Sequence, residues 1–173
     1  WAYKHSKAIA TLSPTMKQEI ISKNISPKKI AVIPNSADID NFKNINFNLD
    51  NFFKSRPYIK NKPFLLYAGT FGKVNNLNYS IKLAQALLEI NSNVNILLIG
   101  DGVEKSSLIE EAKKKNVYNV NLFMENRVSK NEIFNSFSAA TMCANFVLDK
   151  KETWANSANK FFDAMAAGKP IFL

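Results

Sequence analysis

A polar run near the end of the chain has residue types and a spacing that suit a diphosphate and a sugar. Asn156, Ser157 and Asn159 open a predicted helix. Lys160 lies in its first turn, and Asp163 follows one turn in. The first backbone N–H groups of a helix attract anions, and a lysine beside them neutralises phosphate. The aspartate is spaced to accept hydrogen bonds from ribose hydroxyls, so the run suits a nucleotide-sugar.

The same run also has a purely structural interpretation. Ser157 has the side chain of a good N-cap residue. Phe161 and Phe162 suit a helix that packs into a core. On that interpretation the segment is a well-capped helix without a ligand.

A glycine-containing loop follows the apolar run 64–68. It contains Gly69, Thr70, Gly72 and Lys73. Glycine permits tight turning and the close approach of a phosphate, and Lys73 can supply positive charge to a leaving diphosphate. The alternative is an ordinary turn between a strand and a helix.

Two further loops follow predicted strands. Gly100 and Gly102 flank Asp101, and Asp-Gly pairs often do no more than make turns. Arg127 and Val128 follow the predicted strand 120–124. The guanidinium of Arg127 is able to stack on a nucleobase; the alternative is a solvated arginine.

Strands and helices alternate along the chain and must position these loops. The predicted strands are 8–12, 29–33, 64–68, 94–99, 120–124, 141–147 and 171–173. The predicted helices are 13–24, 76–91, 103–115, 129–139 and 159–167. Ser13 predicts a cap, and Ser129 with Glu132 predicts a capping box.

Such alternation predicts an α/β fold, with a parallel sheet and helices on both faces. Ligands of these sheets bind beyond the C-terminal ends of the strands. The candidate loops all lie at that edge: 69–73, 100–104, 125–128 and 149–159.

Four blocks, taken together and in this order, resemble glycosyltransferase family 4. The branch with Ser-x-Asn-Lys, which includes bacterial fucosaminyltransferase-like enzymes, is the most similar. The blocks are 33–38 (IPNSAD, similar to the family's Pro-Asn-Gly-x-Asp), 67–73 (YAGTFGK, its Gly-rich loop), 98–102 (LIGDG, its Gly-x-Gly turn) and 156–170. The similarity runs from about Lys7 to the last residue.

The resemblance implies the C-terminal, donor-binding part of a retaining glycosyltransferase of GT-B type, a Rossmann-like sheet. The donor would be a nucleoside-diphosphate sugar with uridine as its base. Lys73 and Lys160 would be catalytic, because they would stabilise the charge that develops on the diphosphate. The residues that would bind the donor are Gly69, Thr70, Gly72, Gly100, Gly102, Arg127, Val128, Asn156, Ser157, Asn159 and Asp163.

The resemblance also implies a biological setting. A glycan or polyprenyl-linked acceptor would bind through an N-terminal domain, in the synthesis of bacterial surface polysaccharides such as capsule or O-antigen. The protein would be cytoplasmic, peripheral on the inner face of the membrane. No cofactor and no metal are expected, since lysines and helix N–H groups take over the role of a metal. The Asp-x-Asp of Asp38 and Asp40 overlaps the Pro-Asn-Gly-x-Asp-like block, so we interpret it as structural rather than as a metal site.

One position departs from the family pattern. Many members carry two acids separated by seven residues, and the first usually contacts the donor sugar. If Asp163 is the second acid, Ala155 occupies the place of the first. Either Asn156 or Glu152 would then substitute for it, or the sugar contact is unusual.

The predicted organisation has three parts. Residues 1–43 are the end of the N-terminal domain and a crossover, and 63–173 are the nucleotide-sugar-binding domain, truncated at its C-terminus. Residues 44–62 are rich in Asn and Lys and are predicted as a linker or irregular segment, mostly loop, with a helical turn near Asn51. The chain begins at Trp1 and ends in an apolar run, so we expect it to be a piece of a longer enzyme. The longer enzyme would be active, and the piece alone would be inactive.

The formal charge of +9, from 23 basic and 14 acidic residues, is compatible with three anionic partners. These are nucleic acid, an anionic membrane surface and a phosphorylated ligand. The lysine cluster 113–115 lies at a predicted helix end, where cations complement the helix dipole. We therefore interpret the cluster first as a helix terminus, and only second as a patch that binds a membrane.

Cysteine and histidine content argues against several kinds of site. The single cysteine, Cys143, excludes an internal disulfide and fits a reducing compartment. It lies in an apolar run, as a core residue would. With His5 as the only histidine, neither a Cys–His nucleophile nor a zinc site is expected.

Three hypotheses of different classes remain. The preferred one is the glycosyltransferase part. The second is a Rossmann-like module that binds a nucleotide without catalysis, because one fold hosts many functions; sugar transfer by the full-length protein would reject it. The third is nucleic-acid binding through the basic charge, which failure to retard oligonucleotides at low salt would dismiss.

Overall fold

Seven strands form two parallel sheets in this computed structural model, which describes residues 1–43 and 48–173. The strands are β1 (Ile9–Thr11), β2 (Ile30–Val32), β3 (Phe64–Ala68), β4 (Asn95–Ile99), β5 (Leu122–Glu125), β6 (Met142–Ala144) and β7 (Ile171–Phe172). β1 pairs with β2. The other five pair in the order β5-β4-β3-β6-β7, every pair parallel. The predicted α/β class with a parallel sheet is therefore confirmed.

Eight α-helices connect or flank these strands in the described ranges. They are α1 (Ala2–His5), α2 (Pro14–Ile21), α3 (Ile39–Lys43), α4 (Leu49–Lys54), α5 (Asn78–Glu89), α6 (Lys105–Lys114), α7 (Lys130–Ala139) and α8 (Asn159–Ala166). Every predicted helix is present, with ends displaced by a few residues, as is usual for helix boundaries. Strand β6 is shorter than the predicted 141–147, and it pairs through two residues with β3 and through two with β7.

The larger sheet is buried on both faces. On one face Tyr67 and Leu98 pack with Ile81 of α5 and Leu108 of α6. On the other, Leu66 and Ile99 pack with Phe137 of α7 and Ala164 of α8. Alternate residues of each strand serve opposite faces, and every residue of β3 and β4 is buried. This explains why their sequences are nearly continuous apolar runs.

The segment predicted as a linker is ordered in its described part. Residues 48–54 form a capped helix, with the Asn48 side chain accepting from the N–H of Asn51, and Pro57–Ile59 form a 3₁₀ turn. Phe52 and Ile59 are buried against the sheet. The helical turn predicted near Asn51 is therefore confirmed as α4, and the described part of the segment is more regular than predicted because its scattered apolar residues have a core to bury in. Residues 44–47 lie outside the described residues.

Arg56 fastens this segment to the sheet. Its guanidinium binds both carboxylate oxygens of Glu125, each at 2.8 Å, and also binds Glu132. The hydroxyl of Tyr58 donates to Glu125 as well. Arg56 is only 4% exposed, and its ring neighbour Phe52 lies 4.5 Å from the guanidinium carbon. The cation is buried but fully paired, as burial of charge requires.

Two predicted helix starts are confirmed and one detail is corrected. Ser13 and Ser129 cap their helices, accepting from the N–H of Met16 and of Glu132. The capping box at Ser129 is only half formed. The carboxylate of Glu132 binds Arg56 instead of returning to the serine N–H.

A small N-terminal unit packs beside the larger sheet. β1, β2 and α2 bury Ile20, Ile25 and Ile30 together. Two contacts join this unit to the polar run: the Ser13 hydroxyl donates to the Ala155 carbonyl, and the Asn35 amide donates to the Ser157 carbonyl. Among the described residues, no helix is both long and apolar enough to cross a bilayer.

Candidate nucleotide-sugar site

A cleft of about 500 Å³ opens at the C-terminal end of β3. The end of β3 forms its floor, α7 forms one wall, and the first turn of α8 forms another. Asn35 closes it from the N-terminal unit. The residues that line it are Asn35, Ala68, Gly69, Thr70, Asn75, Ile133, Phe137, Ser157, Asn159, Lys160 and Asp163. Six of the predicted site residues meet here: Gly69, Thr70, Ser157, Asn159, Lys160 and Asp163.

The N-terminus of α8 has no side-chain cap, which corrects the prediction for Ser157. The helix begins at Asn159, so the N-cap residue is Ala158, whose methyl group cannot accept a hydrogen bond. Ser157 lies one residue too early, and its carbonyl is held by Asn35. The first N–H groups of a helix lack intrahelical partners. At α8 no side chain of the described residues caps them, and the helix begins beside the cleft.

Lys160 brings a positive charge into this cleft without a carboxylate partner. Its ammonium donates to Oδ1 of Asn75 at 3.3 Å and lies 5.0 Å from the centre of the Tyr67 ring. The ion pairs among the described residues involve Arg56 and Lys130, and none involves Lys160. Burial lowers the pKa of Lys160, because desolvation disfavours its charged form. An anion bound here would restore the missing partner.

The loop after β3 is shaped by hydrogen bonds to one carbonyl. The Thr70 carbonyl accepts from the Tyr67 hydroxyl at 2.8 Å and from Nδ2 of Asn75 at 2.9 Å. Asn76 follows with a positive φ of 41°, which asparagine tolerates better than most residues. This turn brings the Asn75 side chain back over the end of β3.

The glycines of these loops have two different roles. A Cβ on Gly69 would lie 3.0 Å from Cε of Lys160, so this glycine leaves room for the lysine stem. A Cβ on Gly100 would lie 1.9 Å from the Gly69 carbonyl oxygen, and one on Gly102 would lie 2.4 Å from that of Phe71. Both of these glycines let the loop after β4 pack against the loop after β3. They support the cleft but do not line it.

Asp163 lies half-buried on the α7 side of the cleft. Burial raises its pKa; Lys130 acts to lower it and Asp38 acts to raise it. Lys130 and Asp38 themselves form an ion pair of 3.3 Å. Asp38 therefore links the N-terminal unit to α7 beside the cleft. This contact fits the structural interpretation of the Asp38 and Asp40 pair.

Besides Gly100 and Gly102, five further predicted site residues lie outside the lining of the cleft. Lys73 is exposed at the start of the Lys73–Asn75 turn, and Gly72 precedes it. Arg127 and Asn156 are exposed, whereas Val128 packs partly into the core beneath α7. Ala155, in the position of the family's first acid, is buried at 7% exposure. None of these five residues is among those that line the cleft at the end of β3.

Two polar residues of the cleft were not predicted. Asn35 belongs to the block 33–38, whose resemblance to the family was the available signal. Asn75 had no signal, because an asparagine in an Asn-rich chain is unremarkable by type. Only its hydrogen bonds to Thr70 and Lys160 single it out.

Other reactive side chains do not form a site. Among residues 1–43 and 48–173, no group of three or more His, Cys, Asp or Glu is arranged to hold a metal. Cys143 is buried in β6, and burial raises the pKa of its thiol to about 12. A thiol in that state is not nucleophilic at neutral pH, so its role as a core residue is confirmed.

The family described as glycosyl transferases group 1 matches residues 48–173. The chain belongs to this family. Its match begins at the capped helix α4 and includes every strand of the larger sheet. The Rossmann-like parallel fold is accordingly that of the C-terminal domains of GT-B glycosyltransferases.

Solved structures with the same fold span more than twice the length of this chain. Anabaena HepE in complex with UDP-glucose has a TM-score of 0.78 at 16% identity, over 98% of this chain and 45% of HepE. WaaG, a glycosyltransferase involved in lipopolysaccharide biosynthesis, has a TM-score of 0.73 at 15% identity, over 95% of this chain and 43% of WaaG. The N-terminal domain of a Candida albicans trehalose-6-phosphate phosphatase has a TM-score of 0.74 at 11% identity, over 97% and 44%. No curated protein matches the sequence significantly.

Proposed function

We propose that this chain is the donor-binding part of a retaining glycosyltransferase that uses a nucleoside-diphosphate sugar. The observation that carries the proposal is Lys160, a partly buried cation without a carboxylate partner, beside an uncapped helix N-terminus. Both features attract the same chemical group, an anion such as a diphosphate. Membership of the glycosyltransferase group supports a sugar nucleotide over other anions.

The proposed chemistry is electrostatic. The bond between the sugar and the diphosphate breaks with oxocarbenium-like character, and its electron pair leaves with the diphosphate. Lys160 and the first N–H groups of α8 would stabilise that charge, as preorganised donors do in other enzymes. Lys73 is the second basic candidate, with a smaller contribution because it is exposed and screened. Lysine and helix N–H groups make a metal unnecessary in this scheme.

The nucleoside would extend from Asp163 in the cleft to the loop after β5. Asp163 would accept from the ribose hydroxyls, and its half-buried position strengthens such hydrogen bonds. The loop with Arg127 and Val128 would frame the base. The loops behind the donor would be shaped by Gly72, Gly100 and Gly102. Asn156 would contact the sugar, because the position of the family's first acid is occupied by Ala155.

The wider setting of the proposal rests on the resemblance and on the similar structures. HepE was solved with UDP-glucose, which supports uridine as the base. The Ser-x-Asn-Lys run supports family 4 and its fucosaminyltransferase-like branch. WaaG, in lipopolysaccharide biosynthesis, supports a role in bacterial surface polysaccharides, with a polyprenyl-linked or glycan acceptor at the inner face of the membrane.

The proposed division of labour follows the three segments. Residues 1–43 would end an N-terminal, acceptor-binding domain, 44–62 would cross between the domains, and 63–173 would bind the donor. The 173-residue chain should then bind UDP but not transfer sugar. Efficient transfer by this chain alone would overturn that division.

Ligand-detected NMR with UDP, UDP-N-acetylglucosamine and ATP tests the donor site. We expect UDP and the UDP-sugar to bind in preference to ATP, and binding to fall in Asp163→Ala. Equal binding of all three nucleotides, or no effect of the substitution, would contradict the assignment of the ribose and base contacts. A matched control is Asp149→Ala, which removes an acid outside the residues that line the cleft.

A second candidate is a nucleotide-binding module without catalysis. The similarity to a domain of a trehalose-6-phosphate phosphatase supports this second candidate, since that protein is named for a phosphatase reaction and not for sugar transfer. It predicts nucleotide binding in the same cleft but no sugar transfer by the full-length protein. Transfer from a UDP-sugar by that protein would reject it.

A further inference from the structure

The side-chain amide of Asn75 bridges the glycine loop and Lys160. Its Nδ2 donates to the Thr70 carbonyl at 2.9 Å, and its Oδ1 accepts from the Lys160 ammonium at 3.3 Å. A carbonyl can only accept and an ammonium can only donate. The two partners therefore require one group that both donates and accepts, and they fix the orientation of the amide.

We propose that Asn75 is a positioning residue, which holds the Lys160 ammonium over the end of β3 while leaving its positive charge uncompensated for the anionic ligand. This inference rests on the proposed function for the identity of the ligand. The arrangement of Lys160, Asn75 and Thr70 is independent of it.

A neutral acceptor differs from a carboxylate in what it does to the charge. An aspartate of the same shape would form an ion pair with Lys160 and would repel a diphosphate. It would also lose the donor to the Thr70 carbonyl, since an ionised carboxylate only accepts. An amide orients the ammonium by a hydrogen bond and leaves the net charge at +1. Burial lowers the pKa of Lys160, as is expected for a lysine without a paired anion.

Tyr67 and Gly69 also help to position the Lys160 side chain. The Tyr67 ring lies under the ammonium at 5.0 Å, a cation–π distance, and its hydroxyl donates to the same Thr70 carbonyl as Asn75. Gly69 provides the space for the lysine stem. Each contact restrains Lys160 without adding negative charge.

The test is the substitution Asn75→Asp, read out in two ways. The first is the pH titration of the Lys160 side chain by NMR, assigned with Lys160→Met, in which Asn75→Asp should raise the pKa. The second is UDP affinity, which should fall at least tenfold because the added carboxylate neutralises the lysine and repels phosphate. Thermal stability should stay close to that of the wild type, since Asp fits the same space and its ion pair with Lys160 offsets the lost hydrogen bond to the Thr70 carbonyl.

The controls separate positioning from folding and from charge. Asn78→Asp adds the same charge at an exposed residue three positions along, and it should change UDP affinity less than twofold. Asn75→Ala should weaken binding and lower the pKa of Lys160 further, because the ammonium loses its acceptor. If the role of Asn75 were only structural, UDP affinity in its variants would fall only in proportion to their loss of thermal stability.

Each outcome decides one of the two proposals. An unchanged Lys160 titration in Asn75→Asp would overturn the positioning role, and so would unchanged UDP affinity in that variant. If the wild type binds no UDP but the titration moves as expected, the positioning of Lys160 stands and the donor assignment fails.

Discussion

Arg56 and Lys160 are both cations removed from solvent, yet their surroundings differ in the one respect that separates structure from binding. Arg56 binds two carboxylates and lies against Phe52. Lys160 has only a neutral amide and an aromatic ring. Both keep an aromatic face nearby, so the difference lies in the compensation of charge.

The protonation of the two groups follows the same contrast. For Arg56, burial acts to lower the pKa, but hydrogen bonds and charges from Glu125 and Glu132 outweigh it and the pKa is raised. For Lys160, no carboxylate of the described residues opposes the effect of burial, and the pKa is lowered. A paired cation fastens two parts of the fold, whereas an unpaired one has charge to offer a ligand.

The largest expected effect is on stability, in Arg56→Met. Removing Arg56 leaves the carboxylate of Glu125 with the Tyr58 hydroxyl but without its cation, and Glu132 loses the same partner. We expect the free energy of unfolding to fall by about 3 kcal/mol, near the lower end for such pairs because Glu132 is partly exposed. Urea denaturation measures this, with the exposed Lys60→Met in the same segment as control. A loss below about 1 kcal/mol would show that the network is not what holds 48–62 to the sheet.

The opposite pattern is expected for Lys160→Met. Its free energy of unfolding should be unchanged within about 0.5 kcal/mol, or should rise, since no ion pair is broken. UDP affinity should fall at least tenfold, about 1.4 kcal/mol. Isothermal titration calorimetry measures the affinity, and Lys62→Met, at the opposite end of β3, is the control. A large loss of stability with normal UDP binding would reverse the comparison and make Lys160 the structural cation.

The smallest effect is a pH dependence that only Lys160 should produce. Its lowered pKa means that it loses its proton below the ordinary lysine value of 10.5. UDP affinity should decline as pH rises through that lowered pKa. The contribution of Lys160 to stability, measured as the difference between the wild type and Lys160→Met, should rise in the same window, because the unfolded chain then retains the Lys160 proton that the folded chain has lost. Affinity measured from pH 7.5 upwards should decline in the wild type and stay flat in Lys160→Met; a flat wild-type profile would contradict the role of the charge.

The strands and helices could be predicted from the sequence because apolar runs and helix caps depend on residues that are close together along the chain. The apolar run 64–68 is observed as β3 without change, and the serines at 13 and 129 cap the helices that they predict. Segment 48–62 was predicted less well, since Phe52 and Ile59 have no clear period and become ordered only by packing against β3 and β4. Glu132 shows the same limit, because a capping box and a salt bridge to Arg56 use the same carboxylate.

By itself the sequence determined the class of fold, the edge at which the loops gather and the run 156–163 as the main candidate segment. These follow from periodicity and from the chemistry of residue types, which neighbours along the chain already specify. Only the tertiary structure decided that Ala158 rather than Ser157 precedes α8, that Lys73 lies outside the cleft and that Asn75 meets Lys160. Those facts depend on contacts between residues up to 85 positions apart, and such contacts arise only when the strands pair and the loops are brought together.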